Sequence, residues 1–141
     1  MNEQDIADEF TRDVYVSRDL RLADPKFLDL WPEFKKEFGL ETGYSVEISS
    51  TYRSPQAQQD LYAMGRTRPG KIVTNCDGIK ILSKHNIFPA KAIDVYIHKA
   101  GKAIWDLRVF DLLEPLAEKY NLEWGGSWKT FKDRPHLEIK E

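Results

Sequence analysis

Ser83–Asp94, which reads SKHNIFPAKAID, and the distant segment Asp133–Glu138, which reads DRPHLE, organise this chain. Together they supply two histidines and an aspartate: His85, Asp94 and His136. A catalytic zinc site needs three such protein ligands, with its fourth position left for water. In a chain with three histidines and 23 acidic residues such a set also arises by chance, so spacing alone leaves metal binding and an ordinary structural role both open.

A second carboxylate, Asp133, lies three residues before His136, with Pro135 between them. A metal-activated water must pass its proton to a base, and a carboxylate held beside the water can accept it. One rigid turn is expected to place Asp133 and His136 on the same side of the metal. Alternatively, Asp133 only caps the turn, a position in which aspartate and asparagine are both common.

The patterns around these segments predict helices mixed with short strands. Asp24-Pro25 begins a helix that we expect Gly39 to end, and its aromatic residues recur at helical spacing. Ser54-Pro55 begins a second helix, which we expect to end at Gly65. A third helix is predicted from Asp106 toward Tyr120, with a kink or a restart at Pro115. The aromatic stripe of the first helix comprises Phe27, Trp31, Phe34 and Phe38.

Alternating apolar residues predict strands over 46–50, 92–97, 122–124 and 136–139. The long connection 65–82 is rich in Gly, Pro, Asn and Asp, and we expect one short strand in it near residues 72–73. Arg53 falls where the first strand meets the second helix, so its side chain can point into a cleft. The strands and helices do not alternate regularly, and the predicted fold class is therefore α+β.

Composition limits the partners of the chain. The 141 residues fit a single domain, 1–141, in which we expect residues 1–16 to form an N-terminal arm. The 21 basic and 23 acidic residues give a net charge of −2, which predicts neither a nucleic-acid partner nor an acidic membrane surface. No apolar run approaches the roughly 20 residues of a membrane span. We expect a monomer.

The N-terminus indicates where the protein is held, and the single cysteine excludes an internal disulfide. The first nine residues are acidic and lack the basic start and apolar run of a signal peptide, so we expect the protein to stay in the cytoplasm until it is released. Cys76 cannot form an internal disulfide, and we expect it to be a small buried apolar residue.

Several motifs together resemble one family of peptidases. They are SSTYRS at 49–54, GRTRPG at 65–70, the stretch 83–94, WGG at 124–126 and DRPHLE at 133–138. In this order they are similar to the zinc D,D-carboxypeptidase and L-alanyl-D-glutamate endopeptidase family. That family includes bacteriophage endolysins and shares its fold with the hedgehog signalling domain. The resemblance implies a small, mostly antiparallel sheet flanked by helices.

Two departures from the family pattern stand out. Asp94 follows His85 by nine positions rather than seven, and Ala90 stands where the family has glycine. This longer form resembles a variant of phage-encoded members, so we expect the two extra residues to form a bulged loop. Ser127 stands where aspartate often follows Trp-Gly-Gly, which affects a supporting hydrogen bond and not a ligand.

Carried onto this sequence, the resemblance implies that His85, Asp94 and His136 bind one Zn²⁺ per chain. Asp133 is then the general base, and Arg53 holds a substrate carboxylate or the developing oxyanion, either of which suits its forked guanidinium. A surface ion pair remains the alternative for Arg53. His98 matches no motif position, and we expect it to be exposed or behind the ligands.

The function that follows is hydrolysis of the stem peptide of bacterial peptidoglycan. We expect an L-alanyl-D-glutamate endopeptidase that acts on the wall as a phage or prophage endolysin, released from the cytoplasm or carried on a virion. A D-alanyl-D-alanine carboxypeptidase is the alternative within the same chemistry. A wall-binding module that has lost catalysis is the other, but such a module has no need of a base at Asp133.

Overall fold

The computed structural model describes residues 2, 5, 9 and 11–141, and within them an antiparallel sheet is flanked by helices. The α+β prediction is confirmed. The helices are α1 (Pro25–Thr42), α2 (Pro55–Ala63), α3 (Leu107–Phe110) and α4 (Leu113–Lys119). The strands are β1 (Ser45–Ser50), β2 (Ala92–Lys99), β3 (Lys102–Ile104), β4 (Leu122–Trp124) and β5 (His136–Ile139), and Leu20–Leu22 and Gly125–Ser127 form short 3₁₀ turns.

The sheet brings the two sequence segments together. Its strand order is β1-β2-β5-β4, and β3 pairs with β2 by a hairpin. Asp94 on β2 lies opposite Ser50 of β1 and also opposite His136 of β5. Residues from three separate parts of the chain therefore sit side by side across one line of the sheet.

Helix α1 carries much of the core. The Asp24 carboxylate accepts a hydrogen bond from the Lys26 N–H, and the predicted aromatic stripe is buried. The predicted end at Gly39 is wrong, because the helix continues to Thr42. The left-handed residue that closes it is Gly43, at φ 77°, whose N–H bonds to the Gly39 carbonyl.

The remaining boundaries follow the predictions with two differences. The strand predicted near residues 72–73 is absent, since Ile72 and Val73 lie exposed in the connection without a strand partner. The hairpin strand β3 was not predicted. The predicted restart of the third helix is confirmed: the break at Asp111–Leu112 precedes Pro115, which falls in the first turn of α4, where its missing N–H costs little.

Backbone hydrogen bonds join the N-terminal segment to the junction between β1 and α2. Ser17 N–H bonds to the Tyr52 carbonyl at 2.9 Å, and Ser54 N–H bonds to the Tyr15 carbonyl at 2.8 Å. Seven of the 16 residues of the predicted arm, 1, 3, 4, 6–8 and 10, lie outside the described residues, and its assignment with the single domain stays a prediction. No described helix is long and apolar enough to cross a membrane.

Candidate metal centre and its cleft

Three side chains converge at the line of residues that the sheet creates. His85 Nε2 lies 3.2 Å from Asp94 Oδ1, and His136 Nδ1 lies 3.4 Å from the same oxygen. Each residue offers one donor atom, and the three atoms lie within 4.8 Å of one another. The residues proposed as metal ligands from the sequence are thus neighbours in space.

The orientation of His85 is set by the strand end before α2. Its ring is 1% exposed, and Nδ1 lies 2.7 Å from the Thr51 carbonyl oxygen. Because a carbonyl can only accept, Nδ1 carries the proton and Nε2 keeps its lone pair. That lone pair faces Asp94.

His136 is held in the opposite sense by Glu138. Its Nε2 lies 2.8 Å from Glu138 Oε1, two residues further along β5, and Lys84 Nζ lies 2.8 Å from the other oxygen of that carboxylate. The carboxylate accepts from Nε2–H, so Nδ1 is the nitrogen left to face Asp94. The Trp128 ring packs against the imidazole, with 4.9 Å between the centroids.

The two oxygens of the Asp94 carboxylate have different neighbours. Oδ2 accepts from Ser50 Oγ at 2.9 Å and from Arg53 Nη2 at 3.1 Å. Oδ1 is therefore the oxygen directed at the two histidines. Partners of this kind orient metal ligands and raise their basicity.

The donor atoms fit a bound cation. Within the described part of the chain, His85 Nε2 and Asp94 Oδ1 are the buried side-chain polar atoms without a hydrogen-bond partner. Two lone pairs facing each other at 3.2 Å have no proton between them, and a metal ion would satisfy both. Two imidazole nitrogens and one carboxylate oxygen are a donor set that suits zinc.

The charges of the pocket also favour an added cation. Burial alone would raise the pKa of Asp94, but His85 and His136 hold it well below its usual range. Burial would likewise lower the pKa of His136, yet Asp94 and Glu138 raise it to about 9. The carboxylates around His136 thus stabilise a positive charge at the cluster, which a bound metal ion would supply in place of the proton.

Asp133 stands at the mouth of this pocket. Its Oδ2 lies 3.8 Å from His136 Nδ1, and its side chain is 47% exposed. Burial of the carboxyl, followed by the nearby negative charge of Asp94, raises the pKa of Asp133. The predicted turn is present, since His136 N–H bonds to the Asp133 carbonyl at 3.1 Å.

Gly125 explains why the turn can approach so closely. A Cβ at this position would lie 2.2 Å from the Asp133 carbonyl oxygen and 3.0 Å from His136 Cβ. The Gly125 carbonyl accepts a hydrogen bond from the Asp133 N–H at 3.0 Å, so the backbone of the WGG segment packs directly against the turn. The Ser127 hydroxyl donates a hydrogen bond to the Trp124 carbonyl at 2.8 Å and so helps to hold the backbone of this segment.

Arg53 makes two contacts behind the pocket. Nη1 donates to Gln58 Oε1 at 2.8 Å, and Nη2 donates to Asp94 Oδ2. The guanidinium has five N–H donors, so these bonds leave others for a bound group in the cleft. Arg53 therefore supports a metal ligand in addition to any role toward substrate.

The cluster opens into a cleft of 560 Å³. Cys76 lies in the wall of this cleft and is only half-buried, so the prediction that it is a buried core residue is wrong. Part of the lining is apolar and comes from α2 and from loops: Leu61, Met64, Val73, Leu82 and Phe131.

The two extra residues between His85 and Asp94 are taken up by a loop. Lys91 N–H bonds to the Lys84 carbonyl at 2.9 Å and closes it, while Asn86 Nδ2 donates to the Arg53 carbonyl at 2.8 Å. His98 lies outside the cluster, with Nε2 4.0 Å from Glu47.

Sequence reasoning missed the residues that support the ligands. Glu138 could have been found, because the two-residue period of a strand places it on the same face as His136. Ser50, Thr51 and Gln58 reach the site through strand register and a helix packed across the cleft, and no local signal marks them.

Comparisons with known proteins agree with the geometry. A family model described as D-alanyl-D-alanine carboxypeptidase matches residues 77–139, which include the three clustered residues and Asp133. The peptidoglycan L-alanyl-D-glutamate endopeptidase CwlK of Bacillus subtilis is 41% identical over 107 residues, or 69% of this chain. The match spans 62% of the length of CwlK.

A solved structure shares the fold. The L-Ala D-Glu endopeptidase ChiX of Serratia marcescens superimposes with a TM-score of 0.62 at 22% sequence identity. The superposition covers 86% of this chain and 83% of ChiX. With the motifs in order along the sequence, the family model and the identity to CwlK show that the chain is similar to D-alanyl-D-alanine carboxypeptidases and L-alanyl-D-glutamate endopeptidases, and the superposition shows that it shares the fold of ChiX.

Proposed function

We propose that this chain is a zinc-dependent peptidase that hydrolyses the L-alanyl-D-glutamate bond in the stem peptide of bacterial peptidoglycan. The observation that carries the proposal is the cluster of His85, Asp94 and His136, in which His85 Nε2 and Asp94 Oδ1 are buried without a hydrogen-bond partner. The bond and the substrate are those of CwlK and ChiX, which are L-alanyl-D-glutamate endopeptidases. The working unit is a monomer with one zinc.

His85 Nε2, Asp94 Oδ1 and His136 Nδ1 would hold the metal. When bound, Zn²⁺ lowers the pKa of a water and polarises the carbonyl of the scissile bond. The contacts to Thr51, Ser50 and Glu138 keep the three donor atoms directed inward before the metal arrives. This preorganisation avoids rearrangement during the reaction.

Asp133 would act as the general base. Its Oδ2 accepts the proton of the attacking water and then delivers it to the leaving amide nitrogen. A base must lie beside the water that it deprotonates, and Asp133 Oδ2 lies 3.8 Å from His136 Nδ1. The partial exposure of its side chain lets it meet a water and a substrate in the cleft.

Arg53 would bind the negative groups of the substrate. The D-glutamate residue carries a carboxylate next to the bond that is cut, and a guanidinium binds a carboxylate through two parallel hydrogen bonds. The same donors can stabilise the oxyanion that forms as the carbonyl is attacked. The contact to Asp94 fixes Arg53 at the edge of the metal centre.

The second candidate is a D-alanyl-D-alanine carboxypeptidase, the activity in the description of the matching family model. A wall-binding module without catalysis is disfavoured, because binding requires neither unpartnered donor atoms nor a carboxylate beside them.

Mass spectrometry of muropeptides distinguishes these candidates. Purified walls are digested with the zinc-loaded protein, with Asp133→Asn as the control. The proposal predicts stem peptides that begin with D-glutamate and glycan strands that retain L-alanine. Loss of a single terminal D-alanine would instead establish the carboxypeptidase, and unchanged muropeptides would refute the proposal.

We also propose that the enzyme serves phage or prophage lysis, held in the cytoplasm or on a virion until it reaches the wall. The nine-residue spacing from His85 to Asp94, which resembles phage-encoded members, supports this. Expression in the cytoplasm alone should be tolerated, and co-expression of a membrane-permeabilising protein should cause lysis. Equal lysis without permeabilisation would contradict the proposal.

A further inference from the structure

Gln58 on α2 is a polar residue whose side-chain amide forms hydrogen bonds through both its oxygen and its nitrogen. It is 1% exposed, and its Oε1 accepts from Arg53 Nη1 at 2.8 Å. Its Nε2 donates to the Cys76 carbonyl at 3.0 Å and approaches Thr74 Oγ1 at 3.4 Å. A buried amide of this kind joins two parts of the structure that have no direct bond to each other.

One of these parts is the wall of the cleft, residues 74–78. Gly78 has φ +78°, and a Cβ there would lie 2.9 Å from Gln58 Cβ and 2.9 Å from the Pro55 carbonyl oxygen. The wall therefore packs directly on the first turns of α2. Arg66 Nη1 also bonds to the Thr74 carbonyl, at 3.1 Å, which anchors the wall at its other end.

The other part is the guanidinium of Arg53. The guanidinium donates one hydrogen bond to Gln58 Oε1 and another to Asp94 Oδ2. Together these two bonds fix the plane in which it lies, and the Gln58 amide provides one of them. A neutral amide oxygen does this without placing another negative charge near Asp94. Glutamine also provides the N–H donors that the Cys76 carbonyl requires, which a carboxylate lacks.

We propose that Gln58 is a positioning residue that orients Arg53 at the metal centre and couples it to the cleft wall at 74–78. The inference rests on the proposed function, in which Arg53 contacts the substrate. It assigns two effects to one side chain. The bond to Arg53 affects turnover, and the bond to the wall affects the fit of the substrate.

The first test is Gln58→Met in the zinc-loaded protein, because methionine has a similar length and no amide. Loss of an outer partner of this kind typically costs about 10–100-fold, and we expect kcat/KM on purified peptidoglycan fragments to fall by that factor. Gln56→Met is the matched control, since Gln56 is exposed on the same helix and its side chain donates a hydrogen bond to the carboxylate of Asp60. The control should retain the parent rate.

A double-mutant cycle then separates positioning from a general loss of structure. If Gln58 acts through Arg53, Gln58→Met in an Arg53→Ala background should lower kcat by less than about twofold, because coupled residues are not additive. An undiminished loss of kcat in that background would overturn the inference while leaving the role of Arg53 intact. A parent-like rate for Arg53→Ala would instead refute the proposed role of Arg53 itself.

Zinc affinity gives a readout that does not depend on turnover. Arg53 holds Asp94, so Gln58→Met should weaken zinc binding in chelator competition, and this effect should also vanish in the Arg53→Ala background. Gln58→Glu keeps an acceptor for Arg53 and loses the donor to Cys76. It should therefore retain more of kcat than Gln58→Met while KM rises, and an equal loss of kcat in both variants would contradict the inference.

Discussion

The two walls of the cleft are built in different ways. The metal-bearing wall comes from β1, β2 and β5, where strand register aligns Ser50, Asp94 and His136. The opposite wall comes from the connection 65–82 and from the loop before β5, where Val73, Leu82 and Phe131 are each about half exposed. Asp94 and His136 are thus fixed by a hydrogen-bonded sheet, while His85 and Asp133 lie in loops that hydrogen bonds hold against it. Substrate fit is left to the exposed parts of the loops.

This division has a physical reason. Catalysis tolerates little misplacement of the reacting groups, and a sheet buried on a core holds them with many cooperative bonds. A loop wall can change in sequence without disturbing those bonds, because side chains such as Gln58 and Arg66 join it to α2 and the turn after α2 rather than to the strands. The predictions below probe the first wall and then the second.

Asp133→Asn is expected to have the largest effect among the variants that keep the metal. Asparagine preserves shape but cannot accept the proton, so kcat should fall by about 10²–10⁴-fold. Zinc content should stay near one per chain, which elemental analysis checks. If Asp133 only caps the turn, the rate would stay within a few-fold of the parent, and the residue would be removed from the mechanism.

Gly125→Ala should cost about 10²-fold in kcat/KM, the loss expected when a reacting group moves by about 1 Å. The new Cβ collides with the Asp133 carbonyl and must displace the turn that carries the base. Gly39→Ala is the matched control, because it lies in α1 with its nearest atom 3.7 Å away. It should stabilise the fold by about 0.4–1 kcal/mol in denaturant unfolding, with the rate unchanged.

Glu138→Gln should weaken zinc binding by about 10-fold, at the lower end of the range for partners behind a ligand. Glutamine keeps the shape next to His136 Nε2 but removes the charge that makes the imidazole a better donor. Competition with a chelator measures the change. Glu47→Gln on β1, which pairs with Lys35, is the control and should bind zinc as the parent does.

Phe131→Ala tests the opposite wall and should have the smallest effect. The residue is 46% exposed and lines the cleft, so KM should rise by a few-fold, roughly 1 kcal/mol of lost apolar contact. Zinc affinity should not change. A fall in zinc content comparable to that of Glu138→Gln would show that the two walls are not separate.

The residues of the candidate site could be predicted from the sequence, while most of those that hold them in place could not. His85, Asp94, His136 and Asp133 lie in two short motifs whose residue types and spacing carry the signal. Thr51 acts through its backbone carbonyl, and Ser50 acts through register with Asp94, so neither leaves a mark in local sequence.

The errors in the fold have two different causes. The end of α1 was placed at Gly39 although the left-handed glycine that closes the helix is Gly43, and this choice between two nearby glycines is made within the last turn. The apolar pair Ile72 and Val73 resembles a strand locally, yet the folded chain brings no partner strand beside it. In that case the deciding contact depends on residues outside the local window.

Zinc stoichiometry is the most direct measurement of the central claim, that His85, Asp94 and His136 form one metal centre. Elemental analysis should find one zinc per chain in the parent and in His98→Ala, and almost none in His85→Ala. Removal of the metal by a chelator should abolish cleavage of peptidoglycan, and added zinc should restore it. Full zinc in a folded His85→Ala protein would contradict the account.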